Sequence, residues 1–136
     1  MQPSGSAVPP EGGKDLVSLY LEGADHDVRE LEALAAQLRE DSSGWADHRA
    51  RMREIVHNIK GQGAAFGYEL MTRVGESLSR LLHAAEDADE RTAKLLVAHV
   101  ATLRTVLERD ITGSGGDLGN HLASKLEALV AKTVEP

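Results

Sequence analysis

The sequence predicts an all-α fold: an antiparallel up-down four-helix bundle with an additional C-terminal helix. Three observations predict it. Apolar residues recur at steps of three and four over segments long enough for five helices, and no segment shows the period-two alternation of a half-buried strand. Aromatic residues make up only 3% of the chain, so the core must be built from Leu, Val, Ile, Met and Ala, a mix that favours packed helices over sheets. The breaks between the first four periodic segments are short, which makes successive helices antiparallel neighbours.

Residues 1–13 are rich in Pro, Gly and Ser and are expected to be a disordered N-terminal segment. The first helix is expected from Lys14 to Glu40, with an apolar face of Leu16, Leu19, Tyr20, Ala24, Val28, Leu31, Leu34, Ala35 and Leu38. Gly23 lies inside it and weakens it by about 1 kcal/mol relative to Ala. Asp41-Ser42-Ser43-Gly44 reads as a turn that caps the next helix. The second helix is expected from Trp45 to Ala65. Its seam is Trp45, Met52, Val56, Ile59, Gly63 and Phe66, with His48 and Ile55 at the edge, and Gly67 is its natural stop. A third helix is expected over Glu69–Ala88, inside which Leu70, Met71, Val74, Leu78, Leu81, Leu82 and Ala85 share a face. A fourth is expected over Asp89–Ile111, with Leu95, Leu96, Val100, Leu103 and Leu107 inside. Residues 14–111 therefore make the bundle. Residues 112–117 read as a flexible Gly-rich linker, and 118–136 as a C-terminal helix and tail, with Leu122, Leu126, Leu129 and Val130 as its apolar positions. Such a linker lets the last helix pack on the bundle, swap into a neighbour or dock a partner.

Bulk properties narrow the function. The chain has 136 residues, enough for one core and little more. The net charge of −7 argues against nucleic acid or an anionic membrane as partner, since both need basic patches. There is no Cys, which removes disulfides and thiolate metal sites and agrees with a reducing compartment. No apolar run approaches the roughly 20 residues that span a bilayer, and the N-terminus lacks the pattern of a signal peptide. A cytoplasmic monomer is expected.

The informative segment is His57-Asn58-Ile59-Lys60-Gly61-Gln62-Gly63-Ala64-Ala65-Phe66-Gly67. On a helical wheel His57 falls roughly 140° from the core seam and points to solvent. Ala50, Arg53, Gly61 and Ala64 surround it on that outer face. Exposed helix surfaces normally carry long charged side chains, and a glycine there costs helix stability. Access explains the bare patch: another protein's reactive group can come within bonding distance of an imidazole nitrogen only where no bulky side chain intervenes. Lys60, one turn after His57, can place an ammonium beside the ring, where it would offset the charge of a phosphoryl group. Arg53 can do the same from the preceding turn. Gln62 can touch such a group or simply face solvent. Neutral imidazole is a nucleophile near neutral pH and needs an acceptor on its other nitrogen to fix the tautomer.

His57-x-x-Lys60-Gly61, followed by small residues and Phe66-Gly67, resembles the signature of histidine phosphotransfer (HPt) domains. It is most similar to the phosphotransfer domains of chemotaxis-type histidine kinases, which also carry the active His on the second helix and a fifth helix after the bundle. The resemblance covers about Leu16 to Ile111. It implies a phosphocarrier in a two-component relay, phosphorylated on the outer nitrogen of His57, with Lys60 stabilising the phosphoryl group and Gly61 admitting a receiver domain. Ala50, Arg53, Gln62 and Ala64 would complete the docking face. It implies response-regulator receiver domains and an upstream hybrid or sensor histidine kinase as partners. It implies no cofactor of the chain's own, because the partner's Asp and Mg ion supply the catalysis. The chemotaxis-type relatives often orient the active His with a Glu on the third helix. Ser79 stands at that position here and Glu76 lies one turn earlier, so these two are the candidate orienting groups.

Two other functions fit parts of the pattern. A phosphoacceptor module of a split histidine kinase would usually carry an acidic residue after the His, where this chain has Asn58, and needs an ATP-binding domain whose Gly-rich boxes do not occur here. A non-catalytic helical adaptor that binds receivers without relay would usually have lost the His or the Lys. The chain is therefore expected not to be an enzyme. No metal site is expected: Asp25, His26 and Asp27 are consecutive and face different directions on a helix, and His48, His83, His99 and His121 are scattered packing or surface residues. The acidic run Glu86 to Glu90 is a solvated helix junction.

Overall fold

The computed structural model describes residues 15–134. Over that range the chain is helical: α1 (Leu16–Glu40), α2 (Trp45–Gln62), α3 (Glu69–Ala84), α4 (Glu90–Glu108) and α5 (Gly116–Val134), with single 3-10 turns at Ser42–Gly44 and Ala64–Phe66. No strand occurs among the described residues. The segment expected to be disordered, 1–13, lies outside them, as do Lys14 and the last two residues. Helix α1 packs on α2 and α4, α2 on α3, and α3 on α4, so each of the first four helices touches two of the others; α5 lies against α3 and α4.

The core is aliphatic. Val28 and Leu31 from α1, Met52, Ile55, Val56 and Ile59 from α2, Met71, Val74, Leu78, Leu81 and Leu82 from α3, and Leu103 and Val106 from α4 are all buried. Each such side chain stabilises the fold by about 1.5–3 kcal/mol relative to exposure, which outweighs the helix propensity of any single residue. Asp15 and Asp89 start α1 and α4 by accepting the backbone N–H groups of Ser18 at 2.7 Å and Thr92 at 2.8 Å. These bonds hold both carboxyls below the ordinary carboxylate range.

The structure departs from the sequence-based expectations at the helix ends. Leu16 and Leu19 are 69% and 44% exposed. Burial in α1 begins at Tyr20, whose ring stacks on Phe66 at 5.0 Å and Tyr68 at 5.8 Å, and the first turn lies beyond that aromatic layer. Helix α2 stops at Gln62 rather than Ala65, because the Ala64 N–H leaves the helical ladder and donates to Thr72 Oγ1 at 2.8 Å. Gly67, at φ +89°, then turns the chain into α3. Helix α3 stops at Ala84 rather than Ala88: Arg49 donates to the Leu82 and His83 carbonyls, both at 2.6 Å, satisfying acceptors that a further turn would use. Helix α4 ends at Glu108 rather than Ile111, before Asp110 adopts φ +51° and accepts the Tyr68 hydroxyl at 2.5 Å.

The expected loose linker is instead tied down. Gly113 donates to the Gly67 carbonyl at 2.6 Å and accepts the Leu70 N–H at 3.1 Å, so the segment between α4 and α5 is bonded to the corner between α2 and α3. Helix α5 begins two residues early, at Gly116, and buries Gly119, Ala123, Leu126 and Val130, while Leu129 is exposed and Leu122 half-buried. Of the three fates open to this helix, it packs on its own chain. Arg73 of α3 fastens it, donating to Glu127 at 2.8 and 2.9 Å, Asn120 at 2.7 Å and Ser124 at 3.1 Å.

Candidate functional site

The third and fourth turns of α2 present their outer face to solvent because the inner positions, Met52, Ile55, Val56 and Ile59, are drawn into the core. A period of 3.6 then turns Ala50, Arg53, His57 and Gly61 outward together, and all four are exposed. His57 lies in an open depression lined also by Ala50, Arg51, Arg53, Glu54, Asn58, Lys60 and Ser79. The site thus draws on α2 for its floor and on α3, through Ser79, for one wall.

The charges around the imidazole are unevenly committed. Arg51 is held by Glu30 of α1, at 2.6 and 2.8 Å, and by Glu54 at 3.0 Å. That network occupies Glu54, the carboxylate one turn before His57. Arg53 has no ion-pair partner among the described residues. Lys60 is half-buried, and its Nζ donates to Ser79 Oγ at 3.5 Å. Two cations, from the turns before and after His57, therefore stand at the depression with no carboxylate bonded to them. An anion arriving at the ring meets positive charge and donor groups on a chain whose overall charge is negative.

Access is open on the far side. A Cβ built on Gly61 meets nothing within 4 Å, so the glycine fills no packing need there. Gly63 and Gly75 differ. A Cβ on Gly63 would lie 2.8 Å from Thr72 Oγ1 and 2.9 Å from the Tyr68 carbonyl, and one on Gly75 would lie 3.0 Å from the Lys60 Cβ. These two glycines let α2 and α3 approach closely beside the site.

Ala50, Arg53, His57, Lys60 and Ser79 come together around one depression. Gln62 is exposed and lines a neighbouring hollow with Gly23, Asp27 and Asn58, toward α1. Ala64 is exposed but lies in the 3-10 turn, one step beyond the helix that carries His57. Glu76 is exposed on α3 and does not line the depression. Neither Ser79 nor Glu76 is hydrogen-bonded to the His57 ring; the Ser79 hydroxyl engages Lys60. Sequence reasoning passed over Gly75, although a glycine within the helical pattern of α3 is itself a sign of close backbone approach. It also passed over Thr72, whose hydroxyl ends α2.

Outside the site, His99 is fully buried between α3 and α4. Its Nδ1 donates to the Leu95 carbonyl at 2.7 Å, which leaves Nε2 to accept the Ser77 hydroxyl at 2.8 Å, and burial pushes its pKa down. Among the described residues no group of three His, Cys, Asp or Glu side chains is placed to hold a metal ion, and no helix is long and apolar enough to cross a membrane. No protein-family model, curated protein or solved structure matches the chain.

Proposed function

We propose that this chain is a phosphocarrier of the histidine phosphotransfer type: an up-down four-helix bundle, α1 to α4, that carries a phosphoryl group on His57 between proteins of a two-component relay. The particular role is that of a cytoplasmic shuttle, loaded by a receiver-domain aspartyl phosphate or a histidine kinase and unloaded onto a response regulator. The observation that carries this reading is an exposed imidazole bordered by Ala50 and Gly61, with the Lys60 ammonium in the same depression. The fifth helix packs outside the four, on α3 and α4, and leaves the His57 face of α2 uncovered.

The chemistry asks little of the carrier. The lone pair of the outer ring nitrogen attacks phosphorus, an N–P bond forms, the O–P bond of the partner's acyl phosphate breaks, and the partner's carboxylate leaves with the electron pair. The proton on the other ring nitrogen stays there or passes to water. Lys60 and Arg53 supply donors to the phosphoryl oxygens. A divalent metal ion held by the partner would supply charge neutralisation at phosphorus; no residue of this chain is assigned to it. The carrier contributes a nucleophile, a cation and room to approach.

The test is phosphoryl transfer from purified phosphorylated receiver domains of the same cell to the wild-type protein and to His57→Gln. The wild type should become labelled on His57 and His57→Gln should not. Labelling of His57→Gln, or binding of receivers without labelling of the wild type, sinks the reading. Self-labelling from ATP would make the chain a kinase module instead.

A further inference from the structure

We propose that Ser79 is a positioning residue for Lys60: its hydroxyl holds the ammonium beside His57 until a phosphoryl group takes over that hydrogen bond. The inference rests on the phosphocarrier reading and adds a part to it. Three observations lead there. The root of the Lys60 side chain is pinned, since α3 approaches α2 so closely at Gly75 that a Cβ there would sit 3.0 Å from the Lys60 Cβ and 3.4 Å from its Cα. Ser79 stands one helical turn further along α3, on the face that Gly75 presents to α2. Its Oγ accepts from Lys60 Nζ at 3.5 Å, within a depression that also holds His57.

The strength of this anchor suits the task. Lysine is a flexible point charge that loses much rotamer freedom when it is fixed. A hydroxyl at the long end of the hydrogen-bond range restrains it without neutralising it. A carboxylate at the same position would form a charge-assisted pair with the ammonium and compete with the phosphoryl oxygens for it. Ser79 thereby keeps a cation near the ring and available. It acts through Lys60 and not on the imidazole, to which it makes no hydrogen bond.

The experiment uses the full chain and phosphoramidate as a small phosphodonor, with initial labelling of His57 followed by intact-protein mass spectrometry. The proteins are wild type, Ser79→Ala, Ser79→Thr, Lys60→Ala and the Ser79→Ala/Lys60→Ala double variant, each with its melting temperature measured. Ser79→Ala should label about two- to fivefold more slowly, the effect of losing one side-chain hydrogen bond. Ser79→Thr, which keeps the hydroxyl, should label at the wild-type rate. In the Lys60→Ala background the addition of Ser79→Ala should have no effect, because a residue acting only through Lys60 has nothing left to position.

A wild-type rate for Ser79→Ala overturns the proposal. So does equal slowing in both backgrounds, which would put Ser79 to work on His57 directly. Failure of the wild type to label from either phosphoramidate or phosphorylated receivers overturns the phosphocarrier reading and this inference with it, a result distinct from the other two.

Discussion

Gly61 spends stability that the helix could keep, and nothing in the packing asks for it. Beyond the backbone of its own helical turn and its chain neighbours, no atom lies within 4 Å of an added Cβ, and the residue sits in the last turn of α2. Gly61→Ala should therefore raise stability by about 0.5–1 kcal/mol in urea denaturation, the usual helix penalty of glycine. Gly61→Leu should also fold, yet slow transfer from a phosphorylated receiver by about a hundredfold, since small misplacements of reacting groups carry costs of that order. Labelling of Gly61→Leu by phosphoramidate should stay close to wild type, because a small donor needs no room for a protein surface. Equal loss with both donors would mean that Gly61 serves the chemistry and not access. At this scale the helical period already turns His57, Arg53 and Gly61 outward, since one seam of Met52, Val56 and Ile59 fixes the rotation of the whole helix. What the period cannot give is a partner on another helix. The Lys60–Ser79 hydrogen bond joins residues 19 positions apart, and it exists only because Gly75 brings the two backbones together.

Helices α2 and α3 meet through glycines, and α3 and α5 through an arginine, so the two contacts should respond differently to mutation. Gly63→Ala forces a Cβ against Thr72 Oγ1 and the Tyr68 carbonyl, the second of which is backbone and cannot swing away. It should cost about 1–3 kcal/mol, as overpacking does, measured as a lower denaturation midpoint. A stability equal to wild type would show that the α2–α3 corner relaxes freely. Arg73→Ala removes a two-pronged bond to Glu127 together with contacts to Asn120 and Ser124. The groups are partly exposed, so the loss should be about 1 kcal/mol. It should appear as faster hydrogen exchange in α5 with α2 and α3 unchanged; uniform acceleration across all five helices would count against a separable α5. Periodicity locates all five helices, but their ends are set by contacts it does not encode: Thr72 ends α2, Arg49 ends α3, and the bond between Gly113 and Gly67 turns an apparent linker into a fixed corner. A run of glycines reads the same in sequence whether the chain is loose or closely packed.

Over the whole molecule, acid should act in two separate windows. The carboxylates of Asp25, Glu30 and Glu127 are held below their ordinary values by Arg104, Arg51 and Arg73, so the stability they lend is present above pH 4.5 and is lost only as pH falls further. His99 works at milder pH. It is buried as the neutral ring between Ser77 of α3 and the Leu95 carbonyl of its own helix, and burial depresses its pKa below the ordinary 6.5. The unfolded chain takes up a proton at that position near pH 6.5, while the folded chain does so only at lower pH, so the unfolded state binds more protons and stability falls as pH drops below 6.5. The limiting slope for one proton is about 1.4 kcal/mol per pH unit, an upper bound on how steeply this one group lowers stability below pH 6.5. The other five histidines are exposed or half-buried, none enclosed as His99 is. His99→Gln, close in size and able to keep a bond to Ser77, should lower stability at pH 7 but flatten its dependence from there to pH 5.5, as measured by urea denaturation at several pH values. If the variant keeps the wild-type slope, the ring is not held neutral in the fold and the mild-acid window belongs to another group.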